Sequence, residues 1–461
     1  MFKRVKFSAS LVLLVLVSIA LAFLLGKALV NYAHQVSLAV PFRYPVDYGE
    51  GPLLDQTLRL AQGETLYHND FSTPPYTVSN YPPLFLLLQV PFARIFGPAF
   101  WYGRGISVLF ALVTALMIGL TLYTLTGEWL GAVFGGLLLL AFPYIQYWSL
   151  LNRIDALALG LSWIGIFVLV RWHDRKWGIP VAALFLILSI YTRQSYALAA
   201  PVGAFIWLLI LRKFRKAFEL ALEVGGVSLV LFVLINLLTR GGFFMNIVTA
   251  NVNSFSWQTV GNYFKELREN TLILLLIIAA YLLVERFTTH TRTWPLALPY
   301  LVCAVLSTLT VGKDGSNVNY LFELAAALSF AGGAALSWMS RDRWVQVVAI
   351  LALILQMTSI NDWALTYNSR ITEKTDDEAE ITRLYDVVRQ TDGIILADEY
   401  MGLLPLAGKR IYYQPFEYKM LSDGGLWDQE PFLNEIVNHK FAAILLYDPP
   451  NWSSFEARWT K

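Results

Sequence analysis

The run SASLVLLVLVSIALAFLLGKALV (residues 8–30) is the stretch that decides the fold class. It has the length that an α-helix needs to cross a hydrocarbon core about 30 Å thick. Lys3, Arg4 and Lys6 precede it, as basic residues precede the apolar part of a secretory signal peptide. That apolar part is, however, only about 7–15 residues long, and no small-residue cleavage site follows this run. The sequence therefore predicts an uncleaved first membrane span.

The whole chain is apolar in the same way. Of its 461 residues, 56% are hydrophobic and 15% are charged, and the mean hydropathy is +0.52. A soluble domain carries about 25% charged residues. The formal net charge of +2 gives no bulk electrostatic reason to bind nucleic acid. The single cysteine, Cys303, excludes an internal disulfide and gives no support to a cysteine metal site.

Hydropathy predicts about eleven spans, and hence an α-helical polytopic membrane protein. They lie at 8–30, 104–125, 129–148, 155–171, 178–193, 195–211, 219–240, 271–286, 294–311, 319–339 and 344–361. Alternate connections are rich in Lys and Arg, which marks the cytoplasmic side, and only the short 126–129 connection lacks them. These residues are Lys3, Arg4, Lys6, Arg171, Arg175, Lys176, Arg212, Lys213, Arg215, Lys216, Arg286, Arg292, Arg341 and Arg343. We expect a multi-pass protein of the cell (inner or plasma) membrane, with a cytoplasmic N-terminus and an extracytoplasmic C-terminus.

Two of the predicted extracytoplasmic loops are long, at residues 31–103 and 241–270. In the first, Gly51–Tyr67 has apolar residues at helical spacing, and Pro82–Phe96 is apolar but short and interrupted by Pro91. Both stretches are typical of helices that lie in the membrane interface. The second loop mixes aromatic and polar residues, which suits a lid at the level of the lipid headgroups.

The composition changes after about residue 362. Two stretches there have the pattern of helices and three that of strands: Asp376–Gln390 and Pro431–His439, then Gly393–Ala397, Arg410–Gln414 and Phe441–Tyr447. Residues 1–361 are therefore predicted to form a transmembrane domain. Residues 362–461 are predicted to form a small soluble α/β domain on the extracytoplasmic side.

Charged and polar residues near the ends of the spans collect at one level of this topology. An ionisable residue in or near a span is costly and is a functional hypothesis by default. The set comprises Asp47, Glu50, Arg104, Arg153, Asp155, Arg193, Gln194, Lys313, Asp314, Asn317, Asn319, Tyr320 and Glu323. Arg and Lys donate charge-assisted hydrogen bonds to phosphate, and a carboxylate beside them can act as general base toward a hydroxyl. Such groups suit the displacement of a phosphate from a sugar carbon, because the cations stabilise the charge that grows on the departing phosphate.

Short motifs follow one another between the predicted spans. They are YPVDYGEG (44–51), LAQGETLY (60–67), NYPPLFLL (80–87), IFG (95–97), Arg104 at the opening of the second span, NRIDALALG (152–160), YTRQS (191–195) and SNVNYLFE (316–323). Their order resembles the GT-C superfamily of membrane glycosyltransferases, and more closely its bacterial protein-mannosyltransferase-like and RgtA/B/C/D-like branches. The resemblance covers most of residues 1–340. It implies an inverting transfer of a hexose or pentose from a polyprenyl-phosphate donor to a hydroxyl of a lipid, glycan or protein outside the membrane.

The resemblance also implies roles for individual residues. The catalytic base of the family is an acidic residue of the first loop, which here is Asp47, with Glu50 as a neighbour that tunes it or binds the acceptor. In the protein O-mannosyltransferase pattern the two acids are adjacent, whereas Tyr48 and Gly49 intervene here, so the choice of base stays open. The implied donor-phosphate ligands are Arg104, Arg193, Gln194 and Lys313. The implied substrate contacts are Asn80, Tyr81, Arg153, Asp155, Asn319, Tyr320 and Glu323, with Asp155 bound either to a sugar hydroxyl or to Arg153.

The acidic residues also have a purely structural interpretation. Asp47 and Glu50 can cap the helix that is predicted to begin near Gly51, because acids favour helix N-termini. Arg153 and Asp155 can pair with each other at the end of a span.

The remaining residues have structural alternatives as well. Arg193 and Lys313 can be anchors whose charged ends reach the membrane interface. Asn319 and Glu323 lie on one helix face and can hydrogen-bond another span. NYPPLF (80–85) can be no more than a turn into an interfacial helix.

The sequence gives less support to a metal cofactor and to other functions. Some GT-C branches use a divalent metal, but the sequence has no dense carboxylate or histidine cluster, so no cofactor is predicted. The alternative is a divalent metal with His34 or His68 among its ligands, although both histidines are isolated in the sequence. The alternative function is a transporter or flippase for a lipid-linked saccharide. It calls for charged or broken spans near the bilayer midplane and an inverted repeat, neither of which is found. A third possible function is that of a non-catalytic scaffold whose external domain binds partners. The polar residues at the outer span ends argue against it, because a scaffold has no need of them.

Overall fold

The computed structural model describes residues 9–251, 253–285, 287, 292–447 and 458–459. Its α-helices are α1 (Ala9–Ala39), α2 (Glu50–Ala61), α3 (Leu84–Phe96), α4 (Trp101–Thr126), α5 (Trp129–Ala141), α6 (Pro143–Trp148), α7 (Asp155–Trp172), α8 (Gly178–Ile190), α9 (Ala199–Ile210), α10 (Phe214–Ala221), α11 (Val227–Leu238), α12 (Gly242–Ile247), α13 (Trp257–Glu285), α14 (Trp294–Thr308), α15 (Phe322–Met339), α16 (Arg343–Asp376), α17 (Glu378–Gln390), α18 (Leu403–Leu406), α19 (Pro415–Asp423) and α20 (Glu430–Val437). Two strands, β1 (Ile394–Ala397) and β2 (Phe441–Leu445), follow α17 and α20. Four basic residues of the predicted cytoplasmic side, Lys3, Arg4, Lys6 and Arg286, lie outside the described residues.

Within the described residues, eight helices are long and apolar enough to cross a membrane. They are Ala9–Ala39, Trp101–Thr126, Asp155–Trp172, Phe214–Leu238, Trp257–Glu285, Trp294–Gly312, Val318–Met339 and Arg343–Asp376. The other three predicted spans coincide with the shorter apolar helices Trp129–Ala141, Gly178–Ile190 and Gln194–Ile210. The protein is thus a multi-pass α-helical membrane protein, as predicted.

Helix α15 lies at the centre of the bundle, with all but its last two residues buried. Its sequence, FELAAALSFAGGAALSWM, consists largely of Ala, Gly and Ser, which let neighbouring helices approach closely in a membrane. A Cβ atom on Gly333 would lie 2.6 Å from the carbonyl oxygen of Gly131 and 3.0 Å from the Cα atom of Gly135. Small residues on both α5 and α15 therefore permit this backbone contact.

The connections that were predicted to be cytoplasmic contact one another. Asp174, between α7 and α8, accepts hydrogen bonds of 2.6 Å from the ammonium groups of Lys213, between α9 and α10, and Lys216, at the start of α10. Glu128 and Arg341 line one cavity of about 330 Å³ together with Arg292. This cavity joins the connections after α4, α13 and α15. Within each of these two groups the connections lie at the same end of the bundle, as the charge pattern requires.

Helix α13 begins well before the predicted span. The span was placed at 271–286 and the loop at 241–270, whereas the helix starts at Trp257. Thr271 has non-helical backbone angles (φ −130°, ψ 18°), which put a kink where the apolar sequence begins. Hydropathy detects only the apolar part after the kink, because the preceding residues WQTVGNYFKELREN are polar as well as helical.

The C-terminal region contains the two predicted helices, has two further helices, α18 and α19, that were not predicted, and differs in one strand. Strands β1 and β2 pair in parallel, and α17 and α20 are the two predicted helices. The predicted strand Arg410–Gln414 is wrong, because Tyr413 forms only an isolated parallel bridge with Tyr76 of the first loop. Helix α16 continues without a break past residue 362 to Asp376, so the compositional boundary falls inside a helix.

Candidate active site

Residues indicated by the sequence converge at one end of the bundle. The first loop, the connections before α7 and α9, and the turn before α15 meet there. A polar cavity of about 230 Å³ lies among them, and its lining includes Asp47, Asn80, Tyr81, Arg153 and Tyr320. Segments far apart in the chain therefore share one site.

Asp47 is the acid of the predicted pair that faces this cavity. Its Oδ1 atom accepts a hydrogen bond of 2.9 Å from the Gly49 N–H and lies 3.8 Å from the Nη1 atom of Arg153. Burial raises the pKa of the Asp47 carboxyl; Arg153 partly offsets this, and the nearby Glu50 adds to it. The net shift is upward, which makes the carboxylate a better acceptor for the proton of a hydroxyl.

Arg153 contacts Asp47, and not Asp155 as the sequence suggested. Its position depends on a glycine, since a Cβ atom on Gly49 would lie 1.5 Å from the Nη1 atom of Arg153. The guanidinium also lies over the ring of Trp148, with Cζ 5.1 Å from the centroid. Any larger residue at position 49 would therefore displace this cation from the carboxylate that it accompanies.

Glu50 and Arg104 form a separate, fully buried ion pair. Arg104 donates from Nε and Nη2 to the two carboxylate oxygens at 2.8 and 2.7 Å. Its other N–H groups donate to the carbonyl oxygens of Ala39, Phe42 and Tyr44. All five donors of a guanidinium are thus used. This geometry favours a structural role for both residues over the predicted roles of Arg104 as a phosphate ligand and of Glu50 as the base or an acceptor ligand.

Asp155 is buried behind the cavity, where it holds Arg193. The two side chains form an ion pair, and Asp155 also accepts hydrogen bonds from Trp148 at 2.7 Å and from Asn319 at 3.1 Å. The Arg193 guanidinium lies over the Tyr320 ring, with Cζ 4.3 Å from the centroid. Asp155 and Asn319 line neither the polar cavity nor its neighbour, so their contacts favour positioning of Arg193 over the predicted contact with substrate.

A groove of about 790 Å³ adjoins the polar cavity. Much of its wall is apolar and comes from α8, α11 and the segment around α12, with Ile190, Leu229, Phe232, Phe243, Ile247 and Val248. Leu229 is 63% exposed, so the groove opens on the lipid-facing side of α11. Arg193, Gln194 and Lys313 line it as well, and the residues that line both spaces are Tyr81, Asn251, Asn253 and Tyr320.

Several polar groups at these two spaces have no protein partner within the described part of the chain. Three buried atoms, Nε of Arg153, Oδ1 of Asn80 and Oε1 of Gln194, accept or donate no hydrogen bond there. An unsatisfied buried polar group costs about 1–3 kcal/mol, which a polar ligand can offset. Lys313 forms no ion pair with any described residue, which leaves its positive charge available at the groove.

Glu323 was predicted to contact substrate but lines neither space. Ser307 of α14 donates a hydrogen bond of 2.7 Å to its Oε2 atom. The side chain is almost fully buried in α15. The geometry thus agrees with the structural alternative, in which this residue links two spans.

The C-terminal region contributes residues that the sequence did not indicate. Phe416, Glu417 and Arg458 line the polar cavity, as does Tyr48 next to Asp47. The Tyr48 hydroxyl donates a hydrogen bond of 2.8 Å to the Oε2 atom of Glu417. No short motif surrounds Glu417, and an acid in the first turn of a helix is common in any soluble region. Only the packing of the C-terminal region on the first loop shows that Glu417 lines the polar cavity.

A metal site finds no support in the geometry. Within the described residues, no three His, Cys, Asp or Glu side chains come together as ligands. The Nε2 atom of His68 lies 2.5 Å from a guanidinium nitrogen of Arg59, and His34 is on α1 away from both spaces.

Neither a protein-family model nor a curated protein matches this chain. Its fold is that of the GT-C membrane glycosyltransferases, as the motifs suggested. ArnT from Cupriavidus metallidurans in the apo state aligns with a TM-score of 0.61 and 14% identity, over 93% of both chains. The same protein bound to undecaprenyl phosphate aligns with a TM-score of 0.59 and 14% identity, over 92% of this chain and 89% of that one.

A second solved structure has the same architecture at lower similarity. The oligosaccharyltransferase of Archaeoglobus fulgidus aligns with a TM-score of 0.52 and 11% identity, over 89% of this chain and 64% of that one. These likenesses establish the fold of the chain. Its membership of the GT-C superfamily, and of a particular branch of it, stays a prediction.

Proposed function

We propose that this protein is a glycosyltransferase that moves a sugar from a polyprenyl-phosphate donor to a hydroxyl group, with inversion at the anomeric carbon. The observation that carries the proposal is the wall shared by the polar cavity and the groove. Asp47 and Arg153 face the cavity, while Arg193, Gln194 and Lys313 line the groove. A lipid-linked sugar matches this arrangement, because it consists of an apolar chain, an anionic phosphate and a hydroxylated ring in that order.

The donor lipid places its chain in the groove and its phosphate near Lys313, Gln194 and Arg193. The sugar then reaches the polar cavity across the shared wall. The solved ArnT complex with undecaprenyl phosphate supports a donor of this lipid class. Arginine and lysine suit the phosphate because they donate charge-assisted hydrogen bonds to its oxygens.

Asp47 is the general base in this scheme. It takes the proton of the acceptor hydroxyl as the hydroxyl oxygen bonds to the anomeric carbon. The bond from that carbon to the phosphate oxygen breaks, and the polyprenyl phosphate leaves with the electron pair. Arg193 and Lys313 stabilise the charge that grows on this leaving group. Attack from the face opposite the phosphate inverts the configuration.

We place the reaction on the extracytoplasmic face of the cell membrane. The support is the distribution of basic residues, which assigns the connections around Asp174 and Arg341 to the cytoplasm. The cavity lies at the span ends that alternate with these connections. The acceptor is a hydroxyl of a glycan, lipid or protein presented outside the membrane.

Asp47→Asn tests the proposal with little structural disturbance, because Asn also accepts the hydrogen bond from the Gly49 N–H. A deletion strain is complemented with the wild-type chain or the variant, and its surface glycans and glycolipids are analysed by mass spectrometry. We expect the wild type to restore a product heavier by one sugar. The variant should lower it about 100-fold or more, as loss of a general base does.

Two outcomes contradict the proposal. Normal product with Asp47→Asn rejects Asp47 as the base. A deletion that changes no glycan or glycolipid, combined with movement of polyprenyl-linked sugar across liposomes that contain the purified protein, indicates a flippase instead of a transferase.

A further inference from the structure

The C-terminal region forms part of the polar cavity and is joined to the first loop by backbone pairing. The Tyr76 N–H donates to the Tyr412 carbonyl at 2.7 Å, and the Gln414 N–H donates to the Tyr76 carbonyl at 2.9 Å. The Gln414 side chain accepts a further hydrogen bond of 2.7 Å from the Val78 N–H. These contacts fix the start of α19, which begins at the next residue, Pro415.

This attachment brings Glu417 and Phe416 of α19 to the cavity wall. Phe416 lies against the turn before α15, where a Cβ atom on Gly315 would be 2.4 Å from the Cζ atom of its ring. Glu417 faces the first loop from the other side, through its hydrogen bond to Tyr48. The two residues therefore close the cavity on the side of the C-terminal region.

Glu417 is a carboxylate without an ion pair among the described residues. Arg458, a cation that lines the same cavity, donates a hydrogen bond of 2.7 Å to Glu399. Tyr48 is the one described side chain that donates to Glu417. Burial raises the pKa of Glu417, and the hydrogen bond from Tyr48 and the charges of Arg458 and Arg153 offset this only in part.

The position of Glu417 separates it from the groove. The wall that the cavity shares with the groove consists of Tyr81, Asn251, Asn253 and Tyr320, and Glu417 is not part of it. If the donor sugar enters across that wall, the wall with Glu417 is left for the second substrate. Amide side chains accompany it there, with Gln56 and Asn317 in the same lining.

We infer that Glu417 binds the acceptor and that the acceptor is a sugar residue, one of whose hydroxyl groups donates to this carboxylate while another faces Asp47. The inference rests on the proposed glycosyl transfer. A carboxylate, amides and the rings of Phe416 and Tyr48 suit a ring that carries several hydroxyl groups, because each hydroxyl can donate and accept. Glu417 is thus a substrate-binding residue, and Asp47 remains the base.

Glu417→Gln is the decisive variant, because it keeps the size of the side chain and removes the charge. In the complemented deletion strain we expect about 10- to 100-fold less product at equal protein level, as for a lost hydrogen bond to a charged group. The purified variant should bind undecaprenyl phosphate as tightly as the wild type, since Glu417 lies away from the groove. Glu430→Gln, at an exposed position of α20, is the matched control and should keep full product.

Tyr48→Phe separates binding of the acceptor from a merely structural link between the first loop and α19. If Glu417 contacts the acceptor, this variant loses less product than Glu417→Gln. Equal losses of product and of melting temperature in the two variants would show that the residue only holds the loop, and would overturn the inference. Full product with Glu417→Gln, or a product in which the sugar is attached to a protein side chain, would overturn it as well. Absence of any sugar product with the wild type rejects the proposed function itself.

Discussion

The Glu50 carboxylate meets the Arg104 guanidinium in a two-point ion pair, with 2.8 Å between Oε1 and Nε and 2.7 Å between Oε2 and Nη2. Neither side chain is exposed to solvent. Asp47, only three residues before Glu50, instead faces a polar cavity beside Arg153. The two acids of the YPVDYGEG motif therefore differ in role: one holds the first loop on α4, and the other is available for chemistry.

Glu50→Gln should destabilise the fold. Removing one partner of a buried ion pair leaves the other charge uncompensated and costs about 3–5 kcal/mol. We expect a lower melting temperature in detergent and less protein in the membrane. Asp47→Asn is the control and should melt like the wild type. A stable Glu50→Gln protein with no transferase activity would instead indicate that Glu50 takes part in the reaction.

The same pair predicts a dependence of stability on pH. Burial acts to raise the pKa of Glu50, but the Arg104 ion pair and backbone hydrogen bonds outweigh it and lower the pKa below its ordinary value of 4.5. The contribution of Glu50 is therefore fully present above the pKa of the unfolded chain and is lost as the pH falls through the lower, folded pKa. The difference in melting temperature between wild type and Glu50→Gln should shrink at acidic pH, and a difference that grows there would contradict the pair.

Arg153→Gln should move the acid limb of the pH–rate profile to higher pH. Asp47 acts as a base only when ionised, so activity rises as the pH passes through its pKa, which burial has already raised. Arg153 lowers that pKa, and its removal raises it further. The profile of kcat/KM against pH measures the shift. Arg153→Lys keeps the charge and should keep the limb near its wild-type position; an unmoved limb in Arg153→Gln would argue against Asp47 as the titrating group.

Lys313→Gln should weaken the binding of undecaprenyl phosphate by about tenfold, which corresponds to about 1.4 kcal/mol. The ammonium lies at the groove and has no ion pair with a described residue, so its loss should leave the melting temperature unchanged. Lys265→Gln is the matched control, because Lys265 lies on α13 at a different apolar crevice. Native mass spectrometry of the detergent-purified proteins measures the binding. Equal affinity of the two variants for undecaprenyl phosphate would show that Lys313 does not bind the phosphate.

Tyr76→Ala should loosen the C-terminal region and reduce activity, although Tyr76 does not line the polar cavity. Its ring centroid lies within 5.5 Å of those of Tyr418, Trp427 and Phe432, and only 2% of the residue is exposed. Truncation of a buried aromatic residue to Ala costs about 3–5 kcal/mol. We expect faster proteolysis after residue 376 and less product.

Tyr76→Phe is the control for this prediction. It keeps the ring, and the hydroxyl makes no hydrogen bond with a described residue, so stability and product should stay near the wild type. Resistance of Tyr76→Ala to proteolysis would show that the aromatic cluster does not hold the C-terminal region in place.

Much of the candidate site could be predicted from residue type and order. Asp47, Arg153, Asn80, Tyr81 and Tyr320 were all singled out, and all line the polar cavity. The cost of polar side chains near span ends indicated Asp47, Arg153 and Tyr320, whereas Asn80 and Tyr81 came only from the family resemblance. The order of residues in the sequence did not show which acid forms an ion pair with which arginine, because the pairs Asp155–Arg193 and Glu50–Arg104 join separate segments.

The sequence by itself determined that this protein spans a membrane and that it is mainly α-helical. Apolar runs such as residues 8–30 have the length and composition of a membrane-spanning helix. Length and composition can both be read from the run itself, without knowledge of the rest of the fold. The motifs between the runs indicated the GT-C fold, which the solved structures share. Only the tertiary structure decided that Glu50 is buried while Asp47 faces the cavity, and that Glu417 joins the same site. Side-chain direction and contacts between distant segments depend on packing, and no local pattern records them.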